Sequence, residues 1–88
     1  MAQQDKLVQL SQMLDSLTED TSIPKNIRLK ITTAKAKMLE NIDDSALKIS
    51  NSAYALEDVS HDINLPMHAR SIIWTILSEL EQIKEKLR

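Results

Sequence analysis

The side chains that could hold a metal gather at one place in the sequence: His61, Asp62 and His68. Their spacing matches no zinc pattern and no fourth ligand accompanies them, so they read as surface groups of a turn. Adjacent carboxylates occur as Asp43-Asp44 and Glu57-Asp58. Neighbours on a helix point about 100° apart, which does not make an acid–base pair. Those acids read as helix-start and solvated-face charges. Serines are plentiful, but glycine is absent. No serine therefore sits in a glycine-framed elbow, and no glycine-rich loop cradles a phosphate. No catalytic residue, metal site or cofactor is expected, and no enzyme.

Cations offer a second chemistry. Residues 24–39 carry Lys25, Arg28, Lys30, Lys35 and Lys37 without an acid, a local charge of +5. Residues 1–23 carry −3, 40–66 carry −5 and 67–88 carry +1, for −2 over the chain. A basic helix between acidic neighbours can pair within the molecule or meet phosphates. Arg28 and Lys35 share one flank of the helix, and Lys30 and Lys37 the other, which suits pairing and solvation better than one groove. A nucleic-acid-associated module using this helix is the alternative reading of function.

A third chemistry is apolar contact. Met67, Arg70 and Trp74 form a row off the main stripe of the last helix, and Leu47 and Tyr54 a second pair on the helix before it. Trp, Met and Arg are enriched at interface centres. Self-burial against a neighbouring helix is the competing expectation for Trp74.

The elements that position these residues are set by a short motif that occurs twice. Asp20-Thr21-Ser22-Ile23-Pro24 with Arg28 is matched by Asp62-Ile63-Asn64-Leu65-Pro66 with Arg70, an offset of 42 residues. Proline fits the first turn of a helix and drives the residue before it out of the α region. Helices should therefore begin at Pro24 and Pro66, with Ile23 and Leu65 in extended linkers. Asp20 and Asp62 are placed to fold back onto the arginine guanidiniums or onto free N–H groups. A turn clamp that fixes the angle between helices is preferred over an arginine pair offered to an anion, because a duplicated feature usually serves architecture.

Apolar stripes define four helices. The first runs from about Gln3 to Thr18 on Leu7, Leu10, Leu14 and Leu17, widened by Val8 and Met13. The second runs from Pro24 to about Glu40 on Ile27, Ile31, Ala34 and Met38, with Leu29 off the stripe. The third starts from an Asp43 or Asp44 cap and reaches about Ser60 on Ala46, Ile49, Ala53, Leu56 and Val59. The fourth runs from Pro66 towards the C-terminus on Ala69, Ile73, Ile76, Leu80, Ile83 and Leu87. Without glycine, Asn41 and Asn64 are the expected hosts wherever a positive φ is needed. Short linkers make successive helices antiparallel. The expected fold is all-α: a four-helix up-and-down bundle made of two tandem helix–turn–helix hairpins, one domain over residues 1–88. Two copies are too few for a solenoid, so the bundle should close.

Eighty-eight residues give only a modest core. No cysteine is present, so neither disulfides nor thiolate metal sites arise, and a reducing cytoplasm is the default compartment. No run approaches the ~18 apolar residues of a membrane span.

The end of the second turn and the start of the last helix, Leu65-Pro66-Met67-His68-Ala69-Arg70 with Ile73-Trp74, resemble the archaeal uncharacterised protein family zero-one-four-seven. The first turn, Ile23-Pro24-Lys25-Asn26-Ile27-Arg28, is similar to the family's other signature. The resemblance implies a four-helix bundle from a cytoplasmic archaeal protein, and no activity. The function expected is thus unknown in its particulars: a non-enzymatic module for a protein partner or a second copy of the chain, with no membrane contact.

Overall fold

The computed structural model describes residues 2–87. Among them are four α-helices and no strand: α1 (Ala2–Thr18), α2 (Lys25–Met38), α3 (Ser45–Ser60) and α4 (Met67–Lys86). The boundaries fall within two residues of those the stripes predict. Pro24 and Pro66 are the cap residues rather than the first helical ones. Each has extended backbone, with ψ of 145° and 151°. Each carbonyl still accepts the first helical bonds, Pro24 from the N–H groups of Ile27 and Arg28, Pro66 from those of Ala69 and Arg70. Asp44 caps α3, its carboxylate accepting from the Leu47 N–H at 3.0 Å.

The three linkers, residues 19–24, 39–44 and 61–66, are short. A six-residue segment reaches about 20 Å at most. Returning along a helix of 14 to 17 residues and stepping sideways needs more, so successive helices must run antiparallel. α1 packs on α2, α2 on α3, α3 on α4, and α4 returns to α1, while diagonal pairs stay apart. Two side-chain contacts fix the last relationship. Lys6 near the start of α1 meets Glu79 in the second half of α4 at 3.0 Å, and Asp20 just past α1 meets His68 at the start of α4. The result is a closed up-and-down ring.

Burial repeats with the same 42-residue offset as the turns. Leu7, Leu10, Leu14 and Leu17 of α1 correspond to Ile49, Ser52, Leu56 and Val59 of α3, all buried. Ile27, Ile31, Ala34 and Met38 of α2 correspond to Ala69, Ile73, Ile76 and Leu80 of α4, all buried as well. Ile23 and Leu65, one in each turn, close the core at one end of the bundle.

Three departures from expectation have local causes. No described residue has a positive φ, so Asn41 and Asn64 do not take that role. The helices end instead on residues that stay right-handed, such as Leu39 (φ −100°, ψ 4°) and His61 (φ −91°, ψ −2°). Their last bonds tighten to three-residue closure, as from His61 N–H to Asp58 O and from Asp62 N–H to Val59 O. A glycine-free chain is compatible with such ends. Val8 and Met13 lie exposed at the margins of the α1 stripe rather than widening it. On α3, Ala46 is exposed and Ser52 is buried. The Ser52 hydroxyl donates to the Ile49 carbonyl at 3.0 Å, which lets a polar residue enter the core satisfied.

Candidate functional site

The two turns share the bonds that close their backbones. Asp20 accepts the Ser22 N–H and Asp62 accepts the Asn64 N–H, both at 2.9 Å. The Asp20 and Asp62 carbonyls accept from Ile23 and Leu65, both at 3.1 Å. Each aspartate carboxylate thus closes a turn through the backbone N–H two residues on and does not touch an arginine. The arginines take carbonyls instead. Arg28 Nε donates to Ile23 O at 3.0 Å. Arg70 reaches two acceptors, Ser60 O through Nε at 3.1 Å and Asp62 O through Nη2 at 2.8 Å. With both guanidiniums turned onto their own turns, neither is presented as an anion cradle.

The prospective metal ligands part company. Among the described residues no three His, Cys, Asp or Glu side chains gather as a metal cage. Asp62 serves its own turn, and His68 Nε2 lies 2.6 Å from Asp20 Oδ2 of the other turn. The Asp20 carboxyl is lowered to about 2 by hydrogen bonds from the Ser22 hydroxyl, His68 and the Ser22 N–H.

The basic residues of α2 split between two neighbours. Lys35 pairs with Asp15 of α1, and Lys30 lies 3.9 Å from Asp58 of α3. Lys37 lines a shallow depression with Lys30, Thr33, Ala55 and Asp58. Lys25 is exposed. The five cations therefore do not form one strip.

The apolar candidates remain on the surface. Trp74 is 54% exposed, Met67 66%, Tyr54 75% and Leu47 50%. Met67 and Trp74 stand two turns apart on α4, a rise of roughly 10 Å. Arg70 between them points into the second turn and is half-buried. Tyr54 lies further along, where α3 and α4 enclose a groove of about 180 Å³ lined by Ile49, Ala53, Glu57, Leu80, Glu81 and Lys84 among others. The sequence marks Glu57 only as a solvated-face charge beside Asp58 and does not mark Glu81 or Lys84. The signal for them is the comparison of unmatched charges at the 42-residue offset. Among the described residues Ile63, at 91%, is the most exposed large apolar side chain, and it sits in the second turn.

These features define a small closed helical bundle with exposed apolar side chains on both hairpins, the two aromatic ones, Tyr54 and Trp74, on the second. No described helix is long and apolar enough to cross a membrane. The chain belongs to the uncharacterised protein family UPF0147, whose model matches residues 1–83. A UPF0147 protein of Methanocaldococcus jannaschii is 38% identical, over 82% of this chain and 77% of the relative. One of Methanothermobacter thermautotrophicus is 42% identical over 86% and 74%, and one of Thermococcus kodakarensis 39% identical over 86% and 93%. These relatives are archaeal, and their names carry no activity. No solved structure matches the chain.

Proposed function

We propose that the chain is a non-enzymatic interaction protein of the cytoplasm that docks a protein partner on the outer face of its second hairpin. The observation that carries this reading is a break in the internal symmetry. Met67, Trp74 and Tyr54 are all more than half exposed. Their counterparts 42 residues earlier are Lys25, Thr32 and Gln12. The repeated architecture needs no apolar side chain at these places, since the first hairpin folds with polar ones. Large exposed apolar groups carry a solubility cost that a partner contact offsets.

Trp74 is the chain's single tryptophan, so its fluorescence reports on this face directly. In dilute monomer its emission should be that of a solvated indole, open to acrylamide quenching, and should become shielded when the partner binds. A Trp74 that resists quenching in dilute monomer would leave this reading without its basis. Affinity capture from native archaeal cells, with the protein and its Met67→Ser, Trp74→Ser variant side by side, supplies the second arm. A protein held by the first and lost by the second supports the reading, and sizing separates a second copy from a different chain.

A further inference from the structure

The two hairpins share one architecture, so a charge that is matched in one and unmatched in the other is informative. In the first, Asp15 of α1 holds the ammonium of Lys35 from α2. The corresponding positions in the second are Glu57 of α3 and Leu77 of α4. The carboxylate is kept, while its cation is replaced by an aliphatic side chain packed against the core. Among the described residues the Glu57 carboxylate meets no cation and no hydrogen-bond donor.

Glu57 lines the α3–α4 groove, with Glu81 facing it from α4. Glu81 is likewise without an ion pair among the described residues. It stands where the first hairpin has Leu39. Ile49 and Leu80, both buried, and Ala53 supply apolar lining, and the largely exposed Tyr54 ring borders it. Lys84 also lines the groove, one turn beyond Glu81, and pairs with neither glutamate. Two carboxylates against one ammonium leave the groove negative.

We infer that this groove receives a partner segment presenting a lysine or arginine beside an apolar side chain. The aliphatic portions cover Ile49 and Leu80, the cationic head lies between Glu57 and Glu81, and the Tyr54 ring offers it a π face. The partner thereby supplies the cation that Lys35 supplies internally in the first hairpin. This rests on the reading of the second hairpin as a docking face and specifies the chemistry of what docks there.

The test is an amide-shift titration by NMR with two blocked dipeptides, acetyl-Leu-Lys-amide and its uncharged counterpart acetyl-Leu-norleucine-amide. The lysine probe should shift the amides of Ala53, Tyr54, Glu57 and Glu81, and bind about three- to fivefold more tightly than the uncharged one at low salt. Added salt should erase that difference. The Glu57→Gln, Glu81→Gln protein, altered only at exposed positions, should lose the preference and keep its fold. Leu77→Lys, which copies the first hairpin's pair, should lower it too. Equal binding of the two probes, or a preference that survives both glutamine substitutions, overturns the inference. If a partner held through Met67 and Trp74 is still captured by the double glutamine variant, the docking face stands and the groove chemistry falls.

Discussion

His68 Nε2 lies 2.6 Å from Asp20 Oδ2 and joins the second turn's helix to the first turn across 48 residues of chain. Along with the Lys6–Glu79 pair it ties α1 to α4, the adjoining helices that pack least extensively on each other. The closure of the ring is thus held at both ends of its thinnest seam by polar side-chain contacts, an ion pair at one and a histidine–carboxylate hydrogen bond at the other. The Lys6–Glu79 pair is partly solvated and worth no more than about 1 kcal/mol alone.

Asp20 gives this seam an acid dependence. Its folded-state value, about 2, lies below the ordinary carboxylate value of 3.8. A depressed carboxyl contributes stability that is present in full above the ordinary value and is lost as pH falls towards the folded one. The melting temperature should therefore decline between about pH 4 and pH 2, and decline less steeply over that interval in Asp20→Asn. Thermal melts of both proteins across this range check it, and parallel curves would rule the contribution out.

Two apolar residues of the second turn, two positions apart, should behave oppositely. Leu65 is buried in the core and Ile63 is 91% exposed. Leu65→Ala should cost about 2–5 kcal/mol, as should Ile23→Ala in the first turn. Ile63→Ser should stay within about 0.5 kcal/mol. Urea denaturation of the three variants measures the contrast.

How far the sequence reaches is visible in these same elements. The prolines, the offset of 42 residues and the leucine and isoleucine stripes are local signals, and each fixes a helix boundary or a buried face. What escapes them is long-range or atomic. His68 meeting Asp20 depends on how the ring closes, which no local pattern encodes. Ser11, Ser52 and Ser60 are buried with hydroxyls donated to carbonyls three residues back, so hydropathy assigns them to the wrong side. Lys48 is 7% exposed, a side chain whose long aliphatic stem makes such burial tolerable. The sequence marks the turn aspartates but leaves open whether they take N–H groups or guanidiniums. Turn geometry decides it, because the N–H two residues on lies within reach.

The arginine clamps should differ in strength despite their equivalent positions. Arg70 donates to two carbonyls and Arg28 to one. Hydrogen bonds from a charged donor are worth about 1.5–3 kcal/mol where they are sheltered, and less at half-exposed sites. Arg70→Ala should therefore destabilise more than Arg28→Ala, and Arg70→Lys should recover only part of the loss because an ammonium cannot span both acceptors as a planar fork does. Equal denaturation midpoints for the two alanine variants would show that the second carbonyl contact contributes nothing.

The division of the α2 cations sets a limit on nucleic-acid binding. Lys35 is engaged by Asp15, Lys30 lies near Asp58, and Arg28 is held by the Ile23 carbonyl. Lys25 and Lys37 are left as the cations of that helix with neither an ion pair nor a side-chain hydrogen bond among the described residues. Two phosphate contacts correspond to a slope of log affinity against log salt no steeper than about −2. Fluorescence anisotropy with single-stranded RNA and duplex DNA should accordingly find weak, sequence-independent association at low salt that vanishes near physiological salt. A slope several times steeper would require the α2 ion pairs to open and all five cations to turn towards phosphate. Binding would then compete with the packing of α2 against both neighbours, and nucleic acid should lower the melting temperature instead of raising it. Measuring the slope and the melting temperature on the same samples separates adventitious contact from a true phosphate-binding surface.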